Sequence, residues 1–298
     1  MVSNLKLSTT DYFLSDKNAI TVADRHPQPI FPTHYHDFDE LVIVWRGNGL
    51  HILNDVPYAI TCGDLFYVNA RDRHSYESVN ELELDNILYC RGRLTLSTDW
   101  NALLPGEEAT QEQRYWRLST PGMSVLRREV DALARECMKT DPLSVLLSEA
   151  LFLQVALLLK RFRHAPDSPL LSDAEQLDLL LMALRVSIEQ PFRLDDFCHR
   201  HQLNARSLKT VFKQQTGIGV NQYLRQLRLC KAMDLLRHGQ QTIGEVASRC
   251  GFDDSNYFSV VFNQSFGVSP REYRQRFQKN QDGKKPFSAV NPPSIALK

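Results

Sequence analysis

The sequence has no net charge: 35 Lys and Arg balance 35 Asp and Glu over 298 residues. Its six cysteines include no pair at CxxC spacing, which argues against a zinc ribbon or a thioredoxin-like redox centre. Scattered cysteines of this kind read as reduced, buried small hydrophobes of a cytosolic protein. The N-terminus, MVSNLKLSTTDYF, has no basic stretch leading into an apolar run, so no signal peptide is expected. The most apolar segment, ALFLQVALLLK from Ala150 to Lys160, is too short to span a bilayer and reads as a buried or dimer-forming helix. GxSxG, P-loop and dinucleotide fingerprints are all missing. These absences point to a cytoplasmic protein with no membrane partner, no catalytic role and no cofactor.

The zero charge hides an asymmetry. Residues 1–190 hold 18 Lys and Arg against 27 Asp and Glu, a net charge of −9. Residues 191–280 hold 14 against 7, a net charge of +7. Only the second half suits a polyanion.

The two halves also differ in periodicity. Glu40–Trp45, Leu50–Asn54, Tyr58–Thr61, Leu65–Asn69 and Leu82–Cys90 are short β-rich runs separated by Gly, Asn and Pro turns. That pattern predicts a cupin-like antiparallel β-barrel. Met123–Met138 and Val145–Arg163 then show helical spacing. HAPDSPLLS, from His164 to Ser172, breaks it. The predicted organisation is an effector-binding and dimerisation domain over 1–165, a linker over 166–175, an all-α DNA-binding domain over 176–279 and a disordered tail over 280–298. Within the third segment, helices are expected at about 175–189, 194–200, 205–216, 220–237, 242–249, 254–266 and 270–277.

The C-terminal third repeats itself weakly at an offset of 50. VFKQQTGIGVNQY, ending at Tyr223, matches VFNQSFGVSPREY, ending at Tyr273. Each copy reads as helix, tight turn, helix. Gly251 suits the turn of the second copy, and Asn204 and either Asp254 or Ser255 suit helix caps. In such a unit the second helix enters the major groove, where all four base pairs can be told apart. The first recognition helix offers Arg206 and Thr210 for bases, with Lys209 and Lys213 for phosphates. The second offers Ser255, Asn256, Ser259 and Asn263, short polar side chains without charge. Val220–Arg237 joins the units as one long helix of roughly 27 Å at about 1.5 Å per residue. Double-stranded DNA is therefore the expected partner.

Ile243–Arg274, IGEVASRCGFDDSNYFSVVFNQSFGVSPREYR, closely resembles the second helix-turn-helix signature of the AraC/XylS family of bacterial transcription activators. The resemblance covers residues 180–278. It extends through LRQLRLCKAMDLLRH and the N-terminal FPTHYHDFDELVIVWRGNGLHILNDVPYAITCGDLFYVNARDRHSY to the rhamnose-responsive branch. It implies a homodimer on two direct half-sites, L-rhamnose as effector, and recruitment of RNA polymerase through sigma-70. It also implies sigma contacts at Glu245 and Asp254. Glu245 stands where the branch has aspartate, and Asp254 serves equally as a helix cap. Within the branch the resemblance favours an activator of the regulatory genes; an activator of the catabolic genes is the alternative.

His34-x-His36-x3-Glu40 resembles the first cupin motif, and Gly63-x10-His74 part of the second. Asn69 and Arg71 replace the Pro and Gly usual there. Three readings stay open for these four side chains: an effector pocket, a metal site, or structural hydrogen bonding. The expectation carried forward is an effector site of His34, His36, Glu40, Trp45, Tyr67 and His74, with no metal. Alternation along the strand sends Trp45 and Arg46 to opposite faces. A metal-dependent cupin enzyme is the alternative of a different class, and the fused basic helical module argues against it. A repressor lacking an activating surface is a third.

Overall fold

The computed structural model describes residues 5–25, 27–106, 108–162 and 173–282. The strands are β1 Leu5–Leu7, β2 Ile20–Arg25, β3 Phe31–His36, β4 Asp39–Leu53, β5 Val56–Thr61, β6 Asp64–Val68, β7 His74–Tyr89 and β8 Tyr115–Arg117. Three short helices, α1 Thr9–Tyr12, α2 Trp100–Leu103 and α3 Gln111–Arg114, precede α4 Thr120–Cys137 and α5 Pro142–Arg161. The C-terminal part is α6 Asp173–Val186, α7 Leu194–Arg200, α8 Ala205–Thr216, α9 Val220–His238, α10 Ile243–Arg249, α11 Ser255–Phe266 and α12 Pro270–Asp282. Most of the linker and tail expected from the sequence falls outside the described residues.

The cupin-like antiparallel β-barrel is not what forms. The strands make one mixed sheet in the order β1-β3-β7-β4-β6-β8, open at β1 and β8, with β2 added to β7 and β5 to β4. β1 lies parallel to β3, so the sheet is not purely antiparallel either. The physical reason lies in β4 and β7, two long strands that each serve several partners along their length. β4 takes β6 beside Glu40–Ile43 and β5 beside Asn48–Leu53. Helices instead of further strands cover exposed edges: α4 and α5 pack near β2, and α9 packs on β5.

The apparent turn at Arg46-Gly47-Asn48-Gly49 is part of β4 and contains register shifts against β7. Gly47 sits at φ +77°, where an added Cβ would lie 2.0 Å from the Glu81 carbonyl oxygen. Two expected strands are thus one bulged strand.

Alternation assigns the two faces. Leu41, Ile43 and Trp45 join Leu65, Tyr67, Ile87 and Tyr89 against the stripes of α4 and α5, where Leu126, Val130, Leu133, Phe152, Val155 and Leu159 are buried. Burying each such large apolar side chain contributes roughly 1.5–3 kcal/mol. Val42 and Val44 point the other way, toward Phe66, Val68, Tyr76 and Leu84.

The C-terminal helices follow their sequence signals closely. Asn204 Oδ1 accepts from Ser207 N–H at 2.9 Å to cap α8, and Asp254 Oδ1 accepts from Asn256 and Tyr257 N–H at 2.6 and 2.8 Å to cap α11. Gly251, between α10 and α11, adopts φ +71°, and a Cβ there would meet the Ile188 carbonyl oxygen at 2.4 Å. That oxygen accepts from Arg228 Nε–H at 3.0 Å, so it is not free to retreat. Gly251→Ala is expected to cost at least about 1–3 kcal/mol of backbone strain before the overlap is counted. Urea denaturation checks this; a variant as stable as the parent would show that the turn relaxes. The first unit places Gln202 in the left-handed region instead, at φ +56°.

Candidate functional site

α8 and α11 each bury one stripe and present the other to solvent. Leu208 and Phe212 point inward on α8, and Phe258, Val261 and Phe262 on α11. Arg206, Lys209, Thr210 and Lys213 are exposed, as are Ser255, Asn256 and Asn263, while Ser259 is half-buried. The structure therefore gathers both sets of predicted base- and phosphate-facing residues on outward helix faces. Thr210 Oγ1 donates back to the Arg206 carbonyl at 3.0 Å, and Ser259 Oγ to the Ser255 carbonyl at 2.8 Å. Lys209 Nζ stands 3.8 Å from the Asp195 carboxylate, both groups being well exposed. α11 also exposes Tyr257 and Val260, which the sequence reading did not single out.

Glu245 and Asp254 flank the second unit on exposed positions, and both also serve as helix caps. Thr242 N–H donates to Glu245 Oε2 at 2.6 Å in a capping box at the start of α10. These backbone and hydroxyl donors hold the Glu245 carboxyl below its ordinary range.

Beneath the other face of the sheet, β3, β4 and β7 converge on a cluster of imidazoles. His34 is the cross-strand partner of His74. Glu40 Oε2 lies 3.2 Å from His36 Nε2 and 3.4 Å from His74 Nε2. His51, near the other end of β4 and opposite Tyr76 of β7, also reaches this group, with Nε2 at 3.2 Å from His74 Nδ1. All five side chains are buried. His51 was not anticipated, although a histidine within the apolar run LHILN was the available signal. Burial, with neighbouring imidazoles adding to it, pushes His74 well down and His51 to about 3. Burial also lowers His34. It acts the same way on His36, but contact with the Glu40 carboxylate outweighs it and raises that imidazole.

The structure does not bring Trp45 and Tyr67 to this cluster. Both lie on the opposite face, among the residues packed on α4 and α5. Trp45 Nε1–H donates to Asp85 Oδ2 at 2.8 Å, and Arg127 stands over its ring. Beside the cluster is a cavity of about 30 Å³, bordered by Tyr12, Gln28, Phe31, His34 and Tyr76.

Residues 197–276 match a helix-turn-helix domain, and residues 19–156 match the AraC-like ligand binding domain. The chain is 68% identical over 276 residues to the HTH-type transcriptional activator RhaR of Pectobacterium atrosepticum, covering 93% of this chain and 97% of the relative. It is 53% identical over 278 residues to the RhaR of Yersinia pestis, covering 93% and 96%. The chain belongs to the AraC/XylS family of transcription activators. It is a sequence-specific DNA-binding activator of the RhaR type and not an enzyme.

In this AraC/XylS chain the two halves touch through polar contacts as well as a shared apolar core. Asn48 Nδ2–H of β4 donates to the Thr216 carbonyl at the end of α8, at 2.7 Å. Leu50, Ile52 and Ala59 pack into the same core as Phe212, Tyr223 and Cys230. Asp64, fully buried, accepts from Arg117 of β8 at 2.7 Å and from Arg185 of α6 at 2.9 Å. Arg46 and Glu81, at the rim of the sheet, share an open groove with Lys209, Thr210 and Lys213 of α8. None of these contacts was readable from local sequence.

Proposed function

We propose that this activator binds promoter DNA as a homodimer, responds to L-rhamnose and activates rhamnose regulatory genes in the cytoplasm by recruiting RNA polymerase through sigma-70. The observation that carries the DNA reading is the pair of capped recognition helices with outward polar faces, on a chain highly identical to RhaR activators. Arg206 and Thr210 read bases, and Lys209 and Lys213 hold phosphates. Ser255, Asn256, Ser259 and Asn263 read the second segment more lightly, with no charge of their own. Glu245 and Asp254 offer carboxylates beside a DNA-facing surface, where they gain nothing from phosphate. Leu143, Leu146, Leu147 and Leu157 leave an apolar seam exposed at helical spacing on α5. That seam supports a second copy of the chain as partner. α5 is also long and apolar enough to cross a membrane, but its opposite face is buried against the sheet and α4.

The effector reading rests on His34, His36, Glu40 and His74. Pockets for small organic ligands run to roughly 300 Å³ or more, so a sugar needs the 30 Å³ cavity beside these residues to open. A wider groove of about 570 Å³, lined by Asn101, Glu108, Gln113, Trp116 and Lys160, gives a second reading of where the sugar sits. Its aromatic face and polar rim fit a sugar ring.

Fluorescence anisotropy with promoter DNA, with and without L-rhamnose, tests the proposal together with transcription in vitro. Sugar-dependent transcription is expected, and its absence would sink the rhamnose assignment. Arg206→Ala should cost about 1–3 kcal/mol on the cognate site and relax discrimination there. Lys209→Ala should weaken all sequences alike and reduce the salt slope by about one. Equal losses on specific and random DNA for Arg206→Ala would contradict its role.

A further inference from the structure

Three donor atoms in the imidazole cluster are arranged as ligands are. His36, Glu40 and His74 each offer one ligand atom, and the three atoms lie within 4.8 Å of one another on side chains that are almost completely buried. His36 Nε2 and His74 Nε2 are 3.2 and 3.4 Å from Glu40 Oε2, within ion-pair range but off the alignment of a full hydrogen bond. Buried imidazole nitrogens left without hydrogen bonds are costly, and a carboxylate at this distance would ordinarily take one. The spacing has another explanation. A tetrahedral ion with bonds of about 2.0–2.1 Å holds its donor atoms about 3.3 Å apart.

The outer contacts agree. His36 Nδ1 is 2.6 Å from the Phe38 carbonyl oxygen. An oxygen there can only accept, so Nδ1 carries a proton and Nε2, facing Glu40, is the nitrogen a metal ion would take by displacing any proton on it. His74 Nδ1 can donate to His51 Nε2 at 3.2 Å, which leaves the His74 Nε2 lone pair bare. Fixing the tautomer from behind in this way is what partners of metal-bound imidazoles do. The adjacent cavity of about 30 Å³ is too small for a sugar as it stands but has room for a water on an open coordination position.

We propose that His36, Glu40 and His74 bind one divalent first-row transition-metal ion, with His51 as the positioning residue behind His74 and one position left open toward the cavity. Two imidazoles and one carboxylate suit zinc, iron, manganese or nickel. The proposal rests on the same side chains named above for the effector but does not depend on any sugar entering there. Its test contains no sugar and no DNA, so the two readings fail separately.

The full-length protein is stripped with chelator and titrated with Co²⁺ and Zn²⁺, and bound metal is counted after gel filtration. About one equivalent is expected, with visible Co²⁺ bands but no thiolate charge-transfer band from the six cysteines. Glu40→Gln and His74→Gln should each lower occupancy at least tenfold at micromolar metal, and His51→Phe less. His199→Gln, on α7, should leave occupancy unchanged. Circular dichroism accompanies each variant. If the cluster variants fail to fold, the parent's stoichiometry and Co²⁺ spectrum still decide the matter. Less than a tenth of an equivalent, a thiolate band, or one equivalent that survives in folded Glu40→Gln and His74→Gln would overturn the proposal.

Discussion

Asp64→Ala should destabilise the protein by about 3–5 kcal/mol, the cost typical of removing one partner from a buried ion pair. The Asp64 carboxylate is fully buried and receives Arg117 Nη1 at 2.7 Å, Arg185 Nη2 at 2.9 Å and the Thr61 amide at 2.8 Å. Burial alone works against the charge on Arg117 and Arg185, and Asp64 is the opposing influence that keeps both high. Alanine removes that influence and leaves two guanidinium groups facing each other. Each kcal/mol moves the melting temperature of a chain of this size by roughly 2–4 °C, so a fall on the order of 10 °C is expected. Arg46→Ala is the comparison: its ion pair with Glu81 is largely exposed, and such pairs are worth below about 1 kcal/mol. Thermal and urea denaturation decide it. A loss no larger for Asp64→Ala than for Arg46→Ala would mean that water reaches the arginines.

Phe262→Ala should cost about 3–5 kcal/mol by leaving a cavity in the second helix-turn-helix unit. The ring is fully buried, with Phe258, Phe266 and Tyr273 centred 5.7, 4.7 and 5.4 Å away. Phe258 and Phe266 share α11 with it and Tyr273 belongs to α12, so Phe262 joins the two helices and the loss should appear in DNA affinity as well as in urea denaturation. Val260→Ala, one turn-face away on the exposed side of α11, should change stability little. Comparable small effects from both variants would show that the cluster repacks. The matching ring of the first unit, Phe212, is also fully buried but has Tyr223 as its aromatic neighbour at 5.6 Å. Phe212→Ala should fall in the same range.

The helical third was legible because its signals are local. The predicted helix at 205–216 is the observed α8 Ala205–Thr216, and the Asn204 cap and the Gly251 turn stand where their chemistry put them. The sheet was legible only strand by strand. Alternation separates Glu40 from Trp45 within β4, so Trp45 could have been excluded from the histidine cluster from sequence. The face of Tyr67 could not be read that way, because it depends on the pairing of Leu41 with Tyr67, a register that no single strand encodes. Barrel closure failed for the same reason: strand periodicity fixes faces and leaves edges open. The Arg46–Gly49 stretch has turn composition but forms bulges, which merged two expected strands into β4. His51 escaped notice because it reaches the cluster through the β4–β7 register, which sets it opposite Tyr76, two residues from His74.

β4 carries His51 and, three residues earlier, Asn48, whose amide holds the end of α8. At about 3.3 Å per residue the two side chains are anchored roughly 10 Å apart on one strand, with no loop between them. A register shift against β7 lies between Asn48 and Leu50, inside that interval. An occupant that displaced His51 would load a strand that also holds the end of α8. Stiffness over those three residues would then set how far such a load is felt beyond the sheet.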